Sequence, residues 1–250
     1  MLFDYKKLII SHNYSNVLVR AITICFVLFF SSILFAANSI DKYAISDVLN
    51  NNTLPFNGNF TIIQKPIKFD EERIALTRQY RLEHYGIRGK SITIKPLVIV
   101  LHWTCIENFK SVYNMFYPAT LPSSRNDIQS GGKLNVSAHF LVDRNGTIYQ
   151  LMPTNWMARH TIGLNDSAIG IENIGGVNDQ EDLTKAQANA NIYLIHYLKG
   201  QYPQIKYLIG HYEYGDFRST KLWLEKNNNY FTNKKDPGEK FMLLVRKSLK

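Results

Sequence analysis

PLVIVLH, from Pro96 to His102, is an uninterrupted apolar run behind a proline that ends on an imidazole. Such a run suits a strand covered on both faces, because a strand with one solvated face would alternate apolar and polar residues. AIGIENI, Ala168 to Ile174, is another inner strand by the same reasoning, and IKYLIGH, Ile205 to His211, reads as a strand that again ends on histidine. Between the first two lie SAHFLVD and GTIYQLM, joined through Arg144, Asn145 and Gly146. Asn-Gly between two such runs predicts a hairpin, so the sheet is mixed.

Helices flank these strands. DEERIALTRQYRLEHY, Asp70 to Tyr85, has acids in its first turn and spreads Ile74, Leu76, Tyr80 and Leu82 around a helix. From Leu183 to Lys199 the positions Leu183, Ala186, Ala190, Leu194 and Tyr197 recur at helical spacing, giving about five turns that stop at Gly200. GEKFMLLVRKSL opens a terminal helix after Pro237. The fold expected is α/β: a mixed central β-sheet with helices on both faces.

The chain has 250 residues, 45% of them hydrophobic, enough for one sizeable core. Lys6, Lys7 and Arg20 precede the uncharged run from Ala21 to Ser39, and Ala36 and Ala37 offer a cleavage point. Residues 1–37 read as a secretory signal, with an uncleaved N-terminal anchor as the alternative. Ile24 stands before Cys25 where a lipoprotein site needs a small residue, which argues against lipidation. Residues 38–65, rich in Asn, Ser and Thr, are linker-like, and residues 66–250 form the expected domain. The net charge of +9 falls by two when Lys6, Lys7, Arg20 and Asp4 are removed, so the exported part stays basic. A basic exported protein is steered towards anionic polymers such as cell wall. No zinc-finger spacing, Gly-rich phosphate loop or RNP-like aromatic pattern supports a nucleic-acid partner. Cys25 leaves with the signal and Cys105 stands alone, so no disulfide framework exists.

His102 and His211 each close a strand, and Asp236 precedes a DPG turn. Two imidazoles and a carboxylate at strand ends suit a hydrolytic zinc site with one open position; each residue taken alone also suits a hydrogen-bonded structural role. GIENIGG, Gly170 to Gly176, raises a sharper question, since it sets Glu172 among small and branched apolar residues. An apolar surround raises a carboxyl's proton affinity towards the range useful to a general base.

VIVLHWT, VSAHFLVDRNGTIYQLM, SAIGIEN, LIGHYE and KKDPGEKF occur in this order, and together they resemble the zinc-dependent N-acetylmuramoyl-L-alanine amidases. That family includes bacterial cell-wall and recycling amidases, phage lysozyme-type amidases and peptidoglycan recognition proteins. The resemblance spans roughly Pro96 to Phe241 and implies an amidase/peptidoglycan-recognition-protein-like fold. It also implies one Zn2+ per chain on His102, His211 and Asp236, Glu172 as general base, and Lys234 as the cation that stabilises the oxyanion. The implied substrate is peptidoglycan or a muropeptide, cut between N-acetylmuramic acid, or its anhydro form, and L-alanine in the periplasm or cell envelope of a bacterium. A membrane partner enters only if the N-terminal segment is uncleaved. The rival reading is a muropeptide-binding module that does not cut.

Ala138 departs from the pattern, standing where phage-type members carry a catalytic tyrosine, and this increases the dependence on Glu172. His160 matches a position near the family's substrate cleft, either contacting substrate or serving structure, and His139 reads as structural. His84 and His196 are expected on helices and partly exposed, and Lys235 on the surface. The long aromatic stretch between His211 and Asp236 could wall the cleft, with Trp223 a candidate for stacking on sugar and Tyr230 a weaker one, core packing being the alternative for either ring.

Overall fold

The computed structural model describes residues 40–45 and 60–249. The chain partitions into two compact units, Met1–Lys42 and Tyr43–Lys250. Of the first, only residues 40–42 are described, where a short 3₁₀ turn begins at Asp41. The segment read as signal or anchor, residues 1–37, lies outside the described residues.

The second unit is built on one six-stranded sheet. Its strands are β1 (Ile62–Gln64), β2 (Val98–Trp103), β3 (Phe140–Val142), β4 (Ile148–Gln150), β5 (Ala168–Asn173) and β6 (Tyr207–Gly210), in the order β1-β4-β3-β5-β2-β6. β2 is buried along its whole length between β5 and β6, parallel to both. β3 joins β5 in parallel, and β4 returns beside β3 in the expected antiparallel hairpin. Gly146 makes that turn at φ 86°, a conformation that costs glycine little, and its N–H donates to the Asp143 carbonyl over 2.8 Å.

β1 lies within the stretch read as linker-like and pairs in parallel with β4. Ala44 likewise bridges Tyr207, and Ile45 N–H donates to the Lys206 carbonyl. The compact unit thus begins before residue 66. Composition does not reveal this because an edge segment held by backbone hydrogen bonds, with one side solvated, needs few apolar residues.

The helices are α1 (Glu71–Tyr80), α2 (Phe109–Phe116), α3 (Lys185–Gln201) and α4 (Glu239–Lys247). Alternation along the strands divides the core between them. Ile99, Leu101, Ile169 and Ile171 pack with Ile192, Ile195 and Leu198 of α3 and Met242 and Val245 of α4. Leu141, pointing the other way, packs with Val112 and Phe116 of α2. Helix α3 opens on a capping box of Thr184 and Gln187. Its buried face is wider than the expected stripe, because it meets α4 as well as the sheet; Ala186 and Tyr197 are only half-buried.

The α1 region also corrects the sequence reading. Asp70 caps it, and after Tyr80 the chain continues as a π-helical turn, Arg81–Tyr85. Its buried residues are Arg73, Thr77, Tyr80, Arg81, His84 and Tyr85, whereas Leu82 is exposed. His84, expected to be partly exposed, is buried with Nδ1 2.9 Å from Glu225. Arg73 is 1% exposed and donates to the carbonyls of Lys68, Phe116, Tyr117 and Pro118. The last three close the C-terminal end of α2, where carbonyls lack helical partners and a cation is favoured. Arg73→Met removes these donors while keeping an apolar stem; we expect a loss of about 2–4 kcal/mol in unfolding free energy, read from urea denaturation.

Candidate active site

β2, β5 and β6 are mutually parallel through β2, so their C-terminal ends meet at one edge of the sheet, where open α/β sheets place reactive groups. His102 lies near the end of β2, Glu172 is its register partner on β5, and His211 follows the last residue of β6. Asp236 arrives 25 residues after His211. A backbone bond of 3.0 Å from Tyr212 N–H to the Asp236 carbonyl returns the chain to the strand end.

Nδ1 of His102, Nδ1 of His211 and Oδ2 of Asp236 each lie 3.0 Å from the other two. The residues are 2%, 6% and 8% exposed, so water does little to solvate this cluster. For bonds of about 2.0–2.1 Å to a tetrahedral zinc ion, neighbouring donors stand roughly 3.3 Å apart. Three lone-pair donors in a triangle of nearly that size fit one ion with an open fourth position. Among the described residues this is the set of histidine, cysteine or acidic groups that could hold a metal. Burial lowers the His102 pKa to about 4, with His211 adding to the effect against the pull of Asp236. Its imidazole is therefore neutral at neutral pH, the form a metal requires. Burial would raise the Asp236 pKa, but His211 and His102 hold it well below the usual carboxylate range.

Glu172 stands one strand away from this set. Burial pushes its pKa well above the usual range and Asp236 reinforces the rise, while Lys234 and Arg125 oppose it. Its Oε2 is buried without a hydrogen-bond partner among the described residues. Both carboxylate and ligand set open into a cleft of about 460 Å³, which Lys234 and Arg125 also line. Among the described residues no ion pair or side-chain hydrogen bond holds the Lys234 ammonium, whereas Lys235 pairs at the surface with Asp179. Cys105 lines the cleft, exposed, outside the ligand set.

His160 lines the cleft beside His102. Its Nδ1 is 3.0 Å from His102 Nε2 and 2.8 Å from Thr161 Oγ1, and its Nε2 is 3.3 Å from the Ala168 carbonyl. If His102 offers Nδ1 to a metal, Nε2 carries its hydrogen and donates to His160 Nδ1, which leaves His160 Nε2–H for Ala168. Both ring nitrogens are thus committed within the protein, and His160 orients His102. Its ring lies across Gly170, where a Cβ would stand 2.7 Å from it. His139 is structural, accepting from Gly170 N–H at Nδ1 and donating from Nε2 to the Trp156 carbonyl.

Trp223 is not among the residues lining the cleft. It packs near Tyr214 and Phe231 and covers Gly163, where φ is 78° and a Cβ would meet the indole at 2.5 Å. Tyr230 lines the cleft instead, accepting a 2.9 Å bond from Arg159. Sequence reasoning missed Asn173, Thr161, Arg125 and Thr232. Asn173 donates to the His102 carbonyl over 3.0 Å and accepts from Asn191 over 2.7 Å, fixing the strand end that carries the first ligand. The signal for it was an amide in an otherwise apolar inner strand, the same anomaly that exposed Glu172.

Several known proteins are similar to this chain. An endolysin of Enterobacteria phage K11 is 29% identical over 84 residues, 32% of this chain; the match spans 56% of the endolysin's length. Among solved structures, the N-acetylmuramoyl-L-alanine amidase LysC of Clostridium intestinale URNW is 24% identical, with 65% of this chain and 87% of that one covered and a TM-score of 0.41. A selenomethionine derivative of AmpD gives 19% identity, coverage of 79% and 98%, and a TM-score of 0.47. Bumblebee PGRP-SA gives 20%, 75% and 95%, and 0.44. The family model described as N-acetylmuramoyl-L-alanine amidase matches residues 93–239, more than half of the sequence and all of the site above, and the chain belongs to that family.

Proposed function

We propose that this protein is a zinc-dependent N-acetylmuramoyl-L-alanine amidase that hydrolyses the amide between the lactyl group of N-acetylmuramic acid and L-alanine in peptidoglycan. The observation that carries this reading is the buried triangle of His102, His211 and Asp236 beside an unpartnered carboxylate, Glu172, in one cleft. His102, His211 and Asp236 would hold the zinc, whose chemistry when bound is that of a Lewis acid, polarising an amide carbonyl and making water a better nucleophile.

Glu172 takes the proton of the attacking water and later delivers it to the leaving amine. Its apolar surround and the neighbouring Asp236 keep its proton affinity high enough for both transfers. Lys234, facing the cleft without a competing partner among the described residues, stabilises the negative charge that develops on the carbonyl oxygen. His160 and Asn173 hold His102 in orientation from behind. The protein acts as an exported enzyme of the bacterial periplasm or cell envelope; the signal-like residues 1–37 and the basic charge support this placement.

Elemental analysis of the purified chain should give one zinc per molecule, and peptidoglycan digests should release stem peptides beginning at L-alanine. Zinc without any release of peptide would identify a recognition module, and a chain that holds no zinc would overturn the mechanism. Glu172→Gln should retain zinc while kcat falls about 10²–10⁴-fold. The base must be ionised, so wild-type kcat/KM should decline as pH falls through the raised Glu172 pKa, at a midpoint above the ordinary carboxylate value of about 4.3; the residual activity of Glu172→Gln should lack that acid limb. His160→Ala should weaken zinc binding about 10–100-fold in competition with a chelator, as expected when a ligand loses the group that orients it.

A further inference from the structure

The approach to Asp236 is a ledge with a two-residue repeat. Tyr230, Thr232, Lys234 and Asp236 all line the cleft, whereas Asn233 and Lys235 are exposed and Phe231 turns away to stack on Tyr214. That alternation is the signature of extended backbone. The ledge is fixed at three points. Arg159 Nη2 donates to the Tyr230 hydroxyl, and Tyr212 N–H donates to the Asp236 carbonyl. Between them the Tyr214 hydroxyl accepts from Thr232 N–H at 3.0 Å and donates to the Thr232 carbonyl at 2.5 Å, acting as a neighbouring strand would.

Both backbone groups of Thr232 are therefore satisfied, but its side chain is not. Thr232 Oγ1 is buried and, among the described residues, has no hydrogen-bond partner. A desolvated hydroxyl left unpaired is costly, and native proteins rarely retain one without use for it. Among the described residues, one other orphaned atom, Glu172 Oε2, belongs to a residue lining this cleft. Glu172 has work in the proposed reaction, whereas Thr232 has none assigned.

We infer that Thr232 is a substrate-binding residue whose hydroxyl hydrogen-bonds to a backbone amide of the stem peptide beyond the scissile bond. This rests on the amidase reading above. Successive cleft-facing positions of the ledge are about 6.4–6.8 Å apart, and an extended peptide repeats its amide orientation at that same interval. A peptide whose scissile carbonyl lies at Lys234 thus brings an equivalent amide to Thr232. The fit is to a peptide running along the ledge and not to sugar.

Thr232→Val preserves shape and deletes the hydroxyl. Calorimetry would use the full-length, zinc-loaded chain carrying Glu172→Gln, so that binding is read whether or not the wild type hydrolyses. The ligands are N-acetylmuramic acid bearing a three-residue peptide and the same sugar bearing L-alanine alone. Adding Thr232→Val should weaken the tripeptide ligand roughly 5–10-fold, the range of one neutral hydrogen bond, leave the L-alanine ligand unchanged, and be rescued by Thr232→Ser. Its Tm should equal or exceed that of the parent, because no native hydrogen bond is lost. Unchanged tripeptide affinity, equal weakening of both ligands, or a lowered Tm would each overturn the assignment. Failure of the wild type to release peptide while the binding pattern holds would overturn the amidase reading and leave this one standing.

Discussion

The parallel pairing of β2 with β5 on one side and β6 on the other governs the molecule. Parallel neighbours deliver their C-terminal ends to one edge, so three chain segments distant in sequence present His102, Glu172 and His211 together. Such strands must be covered on both faces, and they are: α3 and α4 take Ile99 and Leu101, leaving the alternate residues, ending in His102, for the side that becomes the cleft. An antiparallel neighbour on either side of β2 would have sent one of the three polar residues to the opposite end of the sheet.

The same packing sets the electrostatics. Glu172 and the ligand set are desolvated by the scaffold that holds them, which drives the Glu172 carboxyl towards its protonated form and the His102 imidazole towards neutrality. Asp236 resists that tendency only because two histidines surround it. One acid is poised to exchange a proton and another in the same cleft is kept ionised, by environment alone.

Much of this was legible in the sequence. PLVIVLH and AIGIENI announced themselves as inner strands because nothing polar interrupts them, and the exceptions, His102 and Glu172, were conspicuous against that background. Asn145 and Gly146 gave the hairpin for a local reason, the φ that only the turn demands. What escaped was held by tertiary contact. β1 is an edge strand fastened by backbone bonds to β4, which leave no mark on composition. Arg73 and His84 look like surface residues in sequence, yet one caps a neighbouring helix and the other pairs with Glu225, 141 positions away. Trp223 left packing and sugar stacking both open in sequence, and the contact that decides for packing is with a glycine, Gly163, far from it in the chain. Thr232 carried no signal at all, since nothing in a sequence shows that a hydroxyl lacks a partner.

The backbone bond between Tyr212 and Asp236 has a consequence for variation in length. It closes the intervening aromatic excursion into a ring at its base, so the position of the last ligand does not depend on how far the chain wanders in between. The entropy of closing such a ring grows only with the logarithm of its length, about 0.6 kcal/mol for each doubling. Insertions within the excursion are therefore cheap for the metal-ligand triangle, and this stretch is where the chain can remodel the wall of its cleft while the chemistry at the strand ends stays in register.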